Sequence, residues 1–291
     1  MIAQFALRLI CGMSLMWALM PRRQVTSGFF RIQMLVVMGL GVLATLSAGM
    51  EMRSITDASQ TSALGPLPLL MSCLVGLIAL LGLLGFVGSV LWTLERRTSA
   101  ERIGFGVLLI STALVVVPHF VTNVTIHIAD KVVVGMGPSV ATSRLTGALI
   151  AASEFAGAAL LGSTVVGMLL GHWYLTTPTM SIEPLKRLNL FLGIAGLLRL
   201  IVSAAVVLTL SGGAFDSAET SFRLAAVPKV WLGLRWLAGV IGPLVVSLMV
   251  WRILKYRNTQ AATGVLFVGV ILAFIGDMTA ALLLSETKLP L

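Results

Sequence analysis

The chain has 291 residues, of which 58% are hydrophobic and 11% are charged, and its formal net charge at pH 7 is +9. A mean hydropathy of +1.03 excludes an ordinary soluble globular domain. The two cysteines, Cys11 and Cys73, are too few for a thiolate zinc site, an iron–sulfur cluster or covalently attached haem.

Transmembrane helices are the dominant predicted element, since each needs about 20 mostly apolar residues. No strand pattern competes, and a backbone in lipid must satisfy its own hydrogen bonds. Basic residues lie within and after the first stretch rather than before it, so we expect a retained helix and not a signal peptide. We predict an all-α polytopic membrane protein with eight spans, roughly 2–20, 29–50, 66–93, 103–121, 146–172, 188–210, 227–252 and 263–285.

The two halves of the chain resemble each other. The separation of Trp17 from Trp92 in the first half is nearly the same as that of Trp173 from Trp251 in the second. The residues that follow these tryptophans also recur: Pro21, Arg31 and Gly106 correspond to Pro178, Arg187 and Gly264. We predict two tandem four-helix units, residues 1–121 and 146–291, with an external connecting loop at 122–145. Each unit has an even number of spans, so this is a parallel 4+4 repeat about an axis along the membrane normal.

The positive charges concentrate on one side of the predicted topology. The connections that follow odd-numbered helices hold three acids and eleven basic residues: Arg22, Arg23, Arg31, Arg96, Arg97, Arg102, Lys186, Arg187, Arg252, Lys255 and Arg257. On the other side, six basic residues are balanced by six acids. The positive-inside rule then puts both termini on the non-cytoplasmic side. We expect the membrane to be a bacterial inner (plasma) membrane. The basic charge indicates contact with the lipid bilayer, not with nucleic acid.

A polar cluster is predicted within the spans, where ionisable residues are costly and rare. Its members are Arg8, His119, Glu154, Arg199, Arg235 and Asp277. The repeat alignment pairs His119 with Asp277, because His119 lies as far beyond Gly106 as Asp277 lies beyond Gly264. We expect a proton or substrate path in the outer half of the bundle. The alternative is a structural network, in which Arg8 or Arg235 neutralises Glu154 and Arg199 or Arg235 neutralises Asp277.

A second candidate site is the tripeptide His172, Trp173 and Tyr174 at the inner end of the fifth helix. Aromatic residues of this kind commonly sit at the membrane interface. The functional alternative is a site for a quinone or a lipid head group, with His172 as hydrogen-bond partner. The sequence does not identify a cofactor, and a quinone is the candidate that this alternative would imply. Haem is not expected, because His119 and His172 fall near opposite ends of the roughly 30 Å bilayer. The 14 methionines show no ligand spacing, so no metal site is predicted.

No nucleotide-binding loop or hydrolase motif is present, so we do not expect the isolated chain to be an enzyme and assign no catalytic residue. Two four-helix units are an architecture that membrane anchor subunits of quinone-linked oxidoreductases also use, an analogy of shape. The first hypothesis is therefore an integral membrane subunit of a respiratory or redox assembly, bound to other subunits. The second is a small secondary transporter of an anion, with its site between the repeats. The third is a structural or assembly protein.

Overall fold

The computed structural model of the chain describes residues 2–58, 67–133, 140–177, 179–211 and 229–287. Within these ranges, side chains are described except at 52, 54–58, 67–71, 117–133, 140–146, 209–211 and 285–287.

Eight long helices and a short 3₁₀ helix, Arg22–Gln24, make up most of this part of the chain, and none of its residues lies in a strand. Each of the eight is long and apolar enough to cross a membrane. The prediction of an all-helical chain with eight such helices is confirmed. The helices are α1 (Ile2–Leu19), α2 (Ser27–Ala58), α3 (Leu67–Thr93), α4 (Arg97–Val133), α5 (Val140–Thr176), α6 (Glu183–Ser211), α7 (Lys229–Lys255) and α8 (Thr259–Thr287).

The two central helices are longer than the sequence predicted. Helix α4 continues to Val133 and α5 begins at Val140, so helix occupies most of the range 122–145 that was expected to be a loop. Residues 134–139 lie outside the described residues. Extending an existing helix adds a hydrogen bond for each residue fixed and needs no new nucleus, so residues of modest helix propensity can join it.

The helix contacts include two closed rings of four helices. Helix α1 packs against α2 and α4, and α3 packs against α2 and α4, which closes a ring. Helices α5 to α8 form a second ring, in which α5 packs against α6 and α8, and α7 packs against the same two helices. The rings meet where α5 packs against α1 and α4.

The crossing of α1 and α5 is held at backbone distance by small residues. A Cβ atom built on Gly12 would overlap the carbonyl oxygen of Ala158, and one built on Gly162 would overlap the backbone of Gly12. Glycine is therefore required at both positions, because only a missing side chain lets two helix backbones approach this closely.

The connections after α1, α3, α5 and α7 gather at one end of the bundle, which we call the turn end. At this end the connection after α1 and the ends of neighbouring helices contact one another. Trp173 Nε1 donates to Thr26 Oγ1 at 2.8 Å, Arg97 Nη2 donates to Ser27 Oγ at 3.1 Å, and Arg22 Nη1 pairs with Glu101 Oε2 at 3.8 Å. The turn end thus collects the basic connections that the sequence assigned to the cytoplasm.

Helix α7 contains a π-helical segment, Leu237–Ile241, which the sequence analysis did not anticipate. Pro243 begins the following helical turn. A proline has no N–H for the helical ladder, and its ring crowds the carbonyl four residues earlier, here that of Gly239. Wider π-helical winding just before Pro243 relieves that conflict.

The tryptophans that suggested the repeat have different surroundings in the two rings. Trp92 is buried and stacks on Phe30 with ring centroids 4.6 Å apart. Trp251 is half exposed, and the Lys255 ammonium lies 3.8 Å from its ring centroid. The first ring therefore has an aromatic core near the turn end that the second ring does not reproduce at the corresponding position.

Candidate functional site

Five of the six ionisable residues predicted to cluster do so. Their side chains are buried, and each comes from a different helix. We call this group the buried cluster: Arg8 on α1, Glu154 on α5, Arg199 on α6, Arg235 on α7 and Asp277 on α8. The second ring supplies one member from each of its four helices, and α1 adds the fifth from the first ring.

Arg8 is at the centre of the buried cluster. Its Nε lies 3.2 Å from Glu154 Oε2, and its Nη1 donates a 3.0 Å hydrogen bond to Asp277 Oδ1. One guanidinium therefore pairs with carboxylates on both α5 and α8. The expected pair between Arg8 and Glu154 is present, whereas Asp277 pairs with Arg8, which the sequence had not suggested as its partner.

The other two arginines bind serines of neighbouring helices. Arg199 Nη1 donates to the backbone carbonyl of Ser153 and lies 3.4 Å from its hydroxyl oxygen. Arg235 Nη2 donates to Ser203 Oγ at 3.3 Å. These contacts join α6 to α5 and α7 to α6, so the arginines also position helices around the second ring.

Glycines make room for the guanidinium groups. A Cβ atom at Gly157 would lie 2.8 Å from Arg199 Nη1 and 3.3 Å from Asp277 Oδ1. The side chains of Arg199 and Asp277 therefore both approach the α5 backbone at Gly157, where no side chain is in the way. At Gly239, in the π-helical segment, an added Cβ would lie 2.5 Å from Arg235 Nη1. π-Helical segments are frequent at functional sites, and this one begins two residues after Arg235.

The buried cluster has more positive than negative groups among the described side chains. It contains three guanidinium groups and two carboxylates, and no residue in it is more than 8% exposed. A cavity of about 10 Å³, bordered by Arg199, Gly239 and Asp277, has space for about one water molecule. Asp277 Oδ2 is buried and has no hydrogen-bond partner in the described part of the chain. A water or proton donor at this point would complete its hydrogen bonding.

His119, the sixth predicted member, lies on α4, and its side chain is outside the described part of the chain. The helix boundaries bear on its pairing with Asp277. Helix α4 begins at Arg97 and α8 begins at Thr259, both at the turn end. Counted from these first residues, His119 lies about one helical turn, roughly 6 Å, farther along its helix than Asp277 does. The pairing remains a prediction.

The aromatic members of the tripeptide on α5 use their polar atoms within the protein. Trp173 donates to Thr26 and makes an edge contact with Phe29 at 6.0 Å, while Tyr174 is buried and donates to the carbonyl of Ser181. His172 is exposed. These contacts join α5 to α2 and to the connection before α6. Of the three residues, His172 alone has an exposed side chain to offer a ligand.

Several residues of the site were not identified from the sequence: Ser153, Gly157, Ser203, Gly239 and Gly276. A signal was present for the glycines. Gly157 follows Glu154 by three positions and Gly239 follows Arg235 by four, so each shares a helix face with a charged residue. A charged residue and a glycine one helical turn apart indicate a polar helix face that a neighbouring group can approach closely.

The described residues contain no group of three or more histidine, cysteine, aspartate or glutamate side chains that could hold a metal ion. Comparison of the chain with protein-family models, curated proteins and solved structures gave no match.

Proposed function

We propose that the chain is an integral membrane protein whose eight helices cross the bilayer as two tandem four-helix units. The hydropathy and length of the helices, the two rings of packing and the basic residues at the turn end support this arrangement. The positive-inside rule then assigns the turn end to the cytoplasm and both chain termini to the other side. The bilayer is of the bacterial inner-membrane type.

Within that membrane, the function we propose is that of a subunit of a respiratory or redox assembly. The observation that carries the proposal is the pairing of Arg8 with both Glu154 and Asp277 inside the bundle. On insertion scales an ionisable side chain at the bilayer centre costs about 2.5–3.5 kcal/mol, and such residues usually mark proton or ion pathways. Here five of them converge.

A proton is the species that this geometry suits best. The cavity beside Asp277 has space for about one water molecule, enough for a proton relay and too small for an organic substrate. A water molecule there would border the Asp277 carboxylate and could exchange a proton with it. Quinone-linked chemistry would supply or consume those protons, and His172 at the turn end is the exposed group that a quinone head could contact.

A small anion transporter is the second candidate, and one observation favours it. Three guanidinium groups lie together in the buried cluster, and guanidinium groups bind carboxylate and phosphate anions. The proposed location between the two units has less support. At the crossing of α1 and α5, Gly12 and Gly162 bring the backbones into contact and leave no room for a ligand. A purely structural role is the third candidate, with the ion pairs serving only to join helices.

Purification of the tagged protein from its native membrane in a mild detergent tests the proposal. We expect stoichiometric co-purification of subunits that carry redox cofactors, detected by absorbance spectra and metal analysis. A transporter would instead purify alone and move an anion when reconstituted into vesicles. Purification without cofactor-bearing partners, in a detergent that preserves a known complex from the same membrane, would contradict the redox assignment.

A further inference from the structure

A groove of about 670 Å³ separates α6 from α7 at the turn end of the second ring. Its walls are residues of the first four turns of α6 and the last three turns of α7. We call it the α6–α7 groove. It is not part of the buried cluster, none of whose members borders it.

The corresponding helices of the first ring have no such opening between them. There α2 and α3 meet backbone to backbone: a Cβ at Gly41 would lie 2.7 Å from Gly82 Cα, and one at Gly85 would lie 2.7 Å from Met38 N. Between α6 and α7, side chains intervene. The glycines of α6 at 193 and 196 face the side chains of Ser247 and Leu244. These side chains hold the two helices apart and leave the groove.

The α6–α7 groove has two chemically distinct zones. Its mouth carries four basic residues and one acid: Lys186, Arg187, Lys255, Arg257 and Glu183. The Arg187–Glu183 pair is 3.5 Å apart and solvent-exposed, so it offsets only part of this charge. Beyond the mouth, the walls carry apolar side chains, and all of these except that of Leu244 are exposed: Leu190, Ile194, Leu197, Leu244, Leu248 and Trp251. A cationic mouth above an open apolar channel matches an anionic amphiphile.

Asn189 lies between the two zones and lacks a partner for its acceptor atom. Its Nδ2 donates to the carbonyl of Ser247 at 3.0 Å, but its Oδ1 is buried without a hydrogen bond among the described residues. The residue is 4% exposed and borders the groove. A buried amide oxygen without a donor is costly. A ligand hydroxyl entering the groove would satisfy it.

We propose that the α6–α7 groove binds one anionic phospholipid of the phosphatidylglycerol type. The lipid phosphate lies among Lys186, Lys255 and Arg257, a glycerol hydroxyl donates to Asn189 Oδ1, and an acyl chain follows the leucine-lined channel. This rests on the membrane location proposed above. It does not depend on the redox role, because the buried cluster takes no part in it.

Native mass spectrometry of the detergent-purified protein tests the site. Phosphatidylglycerol and phosphatidylcholine with identical acyl chains are titrated separately, with glycerol phosphate as a head group without chains and a long-chain quinone as a neutral amphiphile. The test variant is the double substitution Lys186→Gln and Lys255→Gln. The matched control is Arg252→Gln, because Arg252 is exposed on the same end of α7 and does not border the groove.

We expect the protein to retain one phosphatidylglycerol molecule. Its affinity should fall roughly 30-fold in the double variant, at about fivefold for each basic residue lost at low ionic strength, and should not change in the control. Asn189→Leu should weaken the binding of phosphatidylglycerol without strengthening the binding of phosphatidylcholine. The proposal would be overturned if the protein retained the two lipids equally, or if Arg252→Gln lost as much phosphatidylglycerol affinity as the double variant. Retention of glycerol phosphate or quinone in place of the lipid would also overturn it. A negative result for lipid binding does not affect the redox proposal, because that proposal is tested by the subunits that co-purify with the protein.

Discussion

Arg8 on the first helix donates a 3.0 Å hydrogen bond to Asp277 on the last helix, across 269 positions of sequence. The same guanidinium pairs with Glu154 on α5 at 3.2 Å. Arg8 therefore connects the first ring of helices to the second through two buried ion pairs. Both the stability of the fold and the proposed proton chemistry depend on this contact.

Replacing Arg8 by methionine should destabilise the protein strongly. The change leaves Glu154 and Asp277 buried without their shared cation, and removing one partner of a buried pair costs about 3–5 kcal/mol. Thermal unfolding in detergent measures the effect. Arg23→Gln is the control, because Arg23 is exposed and should shift stability by less than about 0.5 kcal/mol. Equal midpoints for the two variants would show that the pairing contributes no stability.

Gly12→Ala should separate the two rings. The new Cβ would overlap the Ala158 carbonyl, so α1 must move away from α5, at a cost of about 1–3 kcal/mol for overpacking. Gly39→Ala is the matched control on α2, where nothing lies within 4 Å of the added atom. That change should be neutral or stabilise by up to about 1 kcal/mol. Unfolding midpoints that fall equally would show that the crossing is not close-packed.

Tyr174→Phe should lower stability and leave activity per molecule unchanged. The hydroxyl donates to the Ser181 carbonyl, and losing a hydrogen bond of this kind costs about 0.5–1.5 kcal/mol. His172→Gln is the companion variant, and it should not change stability because His172 is exposed. If His172 contacts a quinone, this second variant should instead raise the quinone concentration needed for half-maximal activity. If Tyr174→Phe raised that quinone concentration and His172→Gln did not, the quinone contact would be assigned to Tyr174.

Cysteine labelling tests the membrane topology. In a background carrying Cys11→Ala and Cys73→Ala, Thr98→Cys should react with a membrane-impermeant maleimide only after cells are opened, because Thr98 is exposed at the turn end. Ser59→Cys, in the segment outside the described residues, should react in intact cells. Labelling of Thr98→Cys from outside would invert the proposed orientation.

The sequence predicted the helices well because their signal is local. About twenty apolar residues in a row identify a span without any knowledge of its neighbours. The sequence also predicted that the five charged residues lie together in the interior, because exposing a charge to lipid is costly. These residues are Arg8, Glu154, Arg199, Arg235 and Asp277. Which carboxylate binds which arginine did not follow, because that depends on helix packing and rotation.

The π-helical segment and the α6–α7 groove were also missed, and both are products of packing. Pro243 is visible in the sequence, but a helix can accommodate a proline by a kink or by wider winding. The close approach of Gly239 to Gly276 of α8 is seen only in the packed structure. The groove exists because side chains of Leu244 and Ser247 separate two helices whose counterparts touch. Hydropathy cannot distinguish a tight helix pair from a splayed one.

The central claim is that the buried cluster carries protons for a redox assembly, and Asp277→Asn tests it most directly. Asparagine keeps the shape of the side chain and removes its titration. The measurement is quinone-linked turnover of the purified assembly, normalised to the amount of this subunit, with the exposed Glu95→Gln as control. The substitution also removes one partner of the buried Arg8–Asp277 pair, so subunit abundance should fall. We predict that turnover per remaining subunit is lowered about 100-fold, the scale of a lost proton-transfer group. Unchanged turnover per molecule, at normal or reduced abundance, would contradict this claim and make the buried cluster a structural ion-pair network.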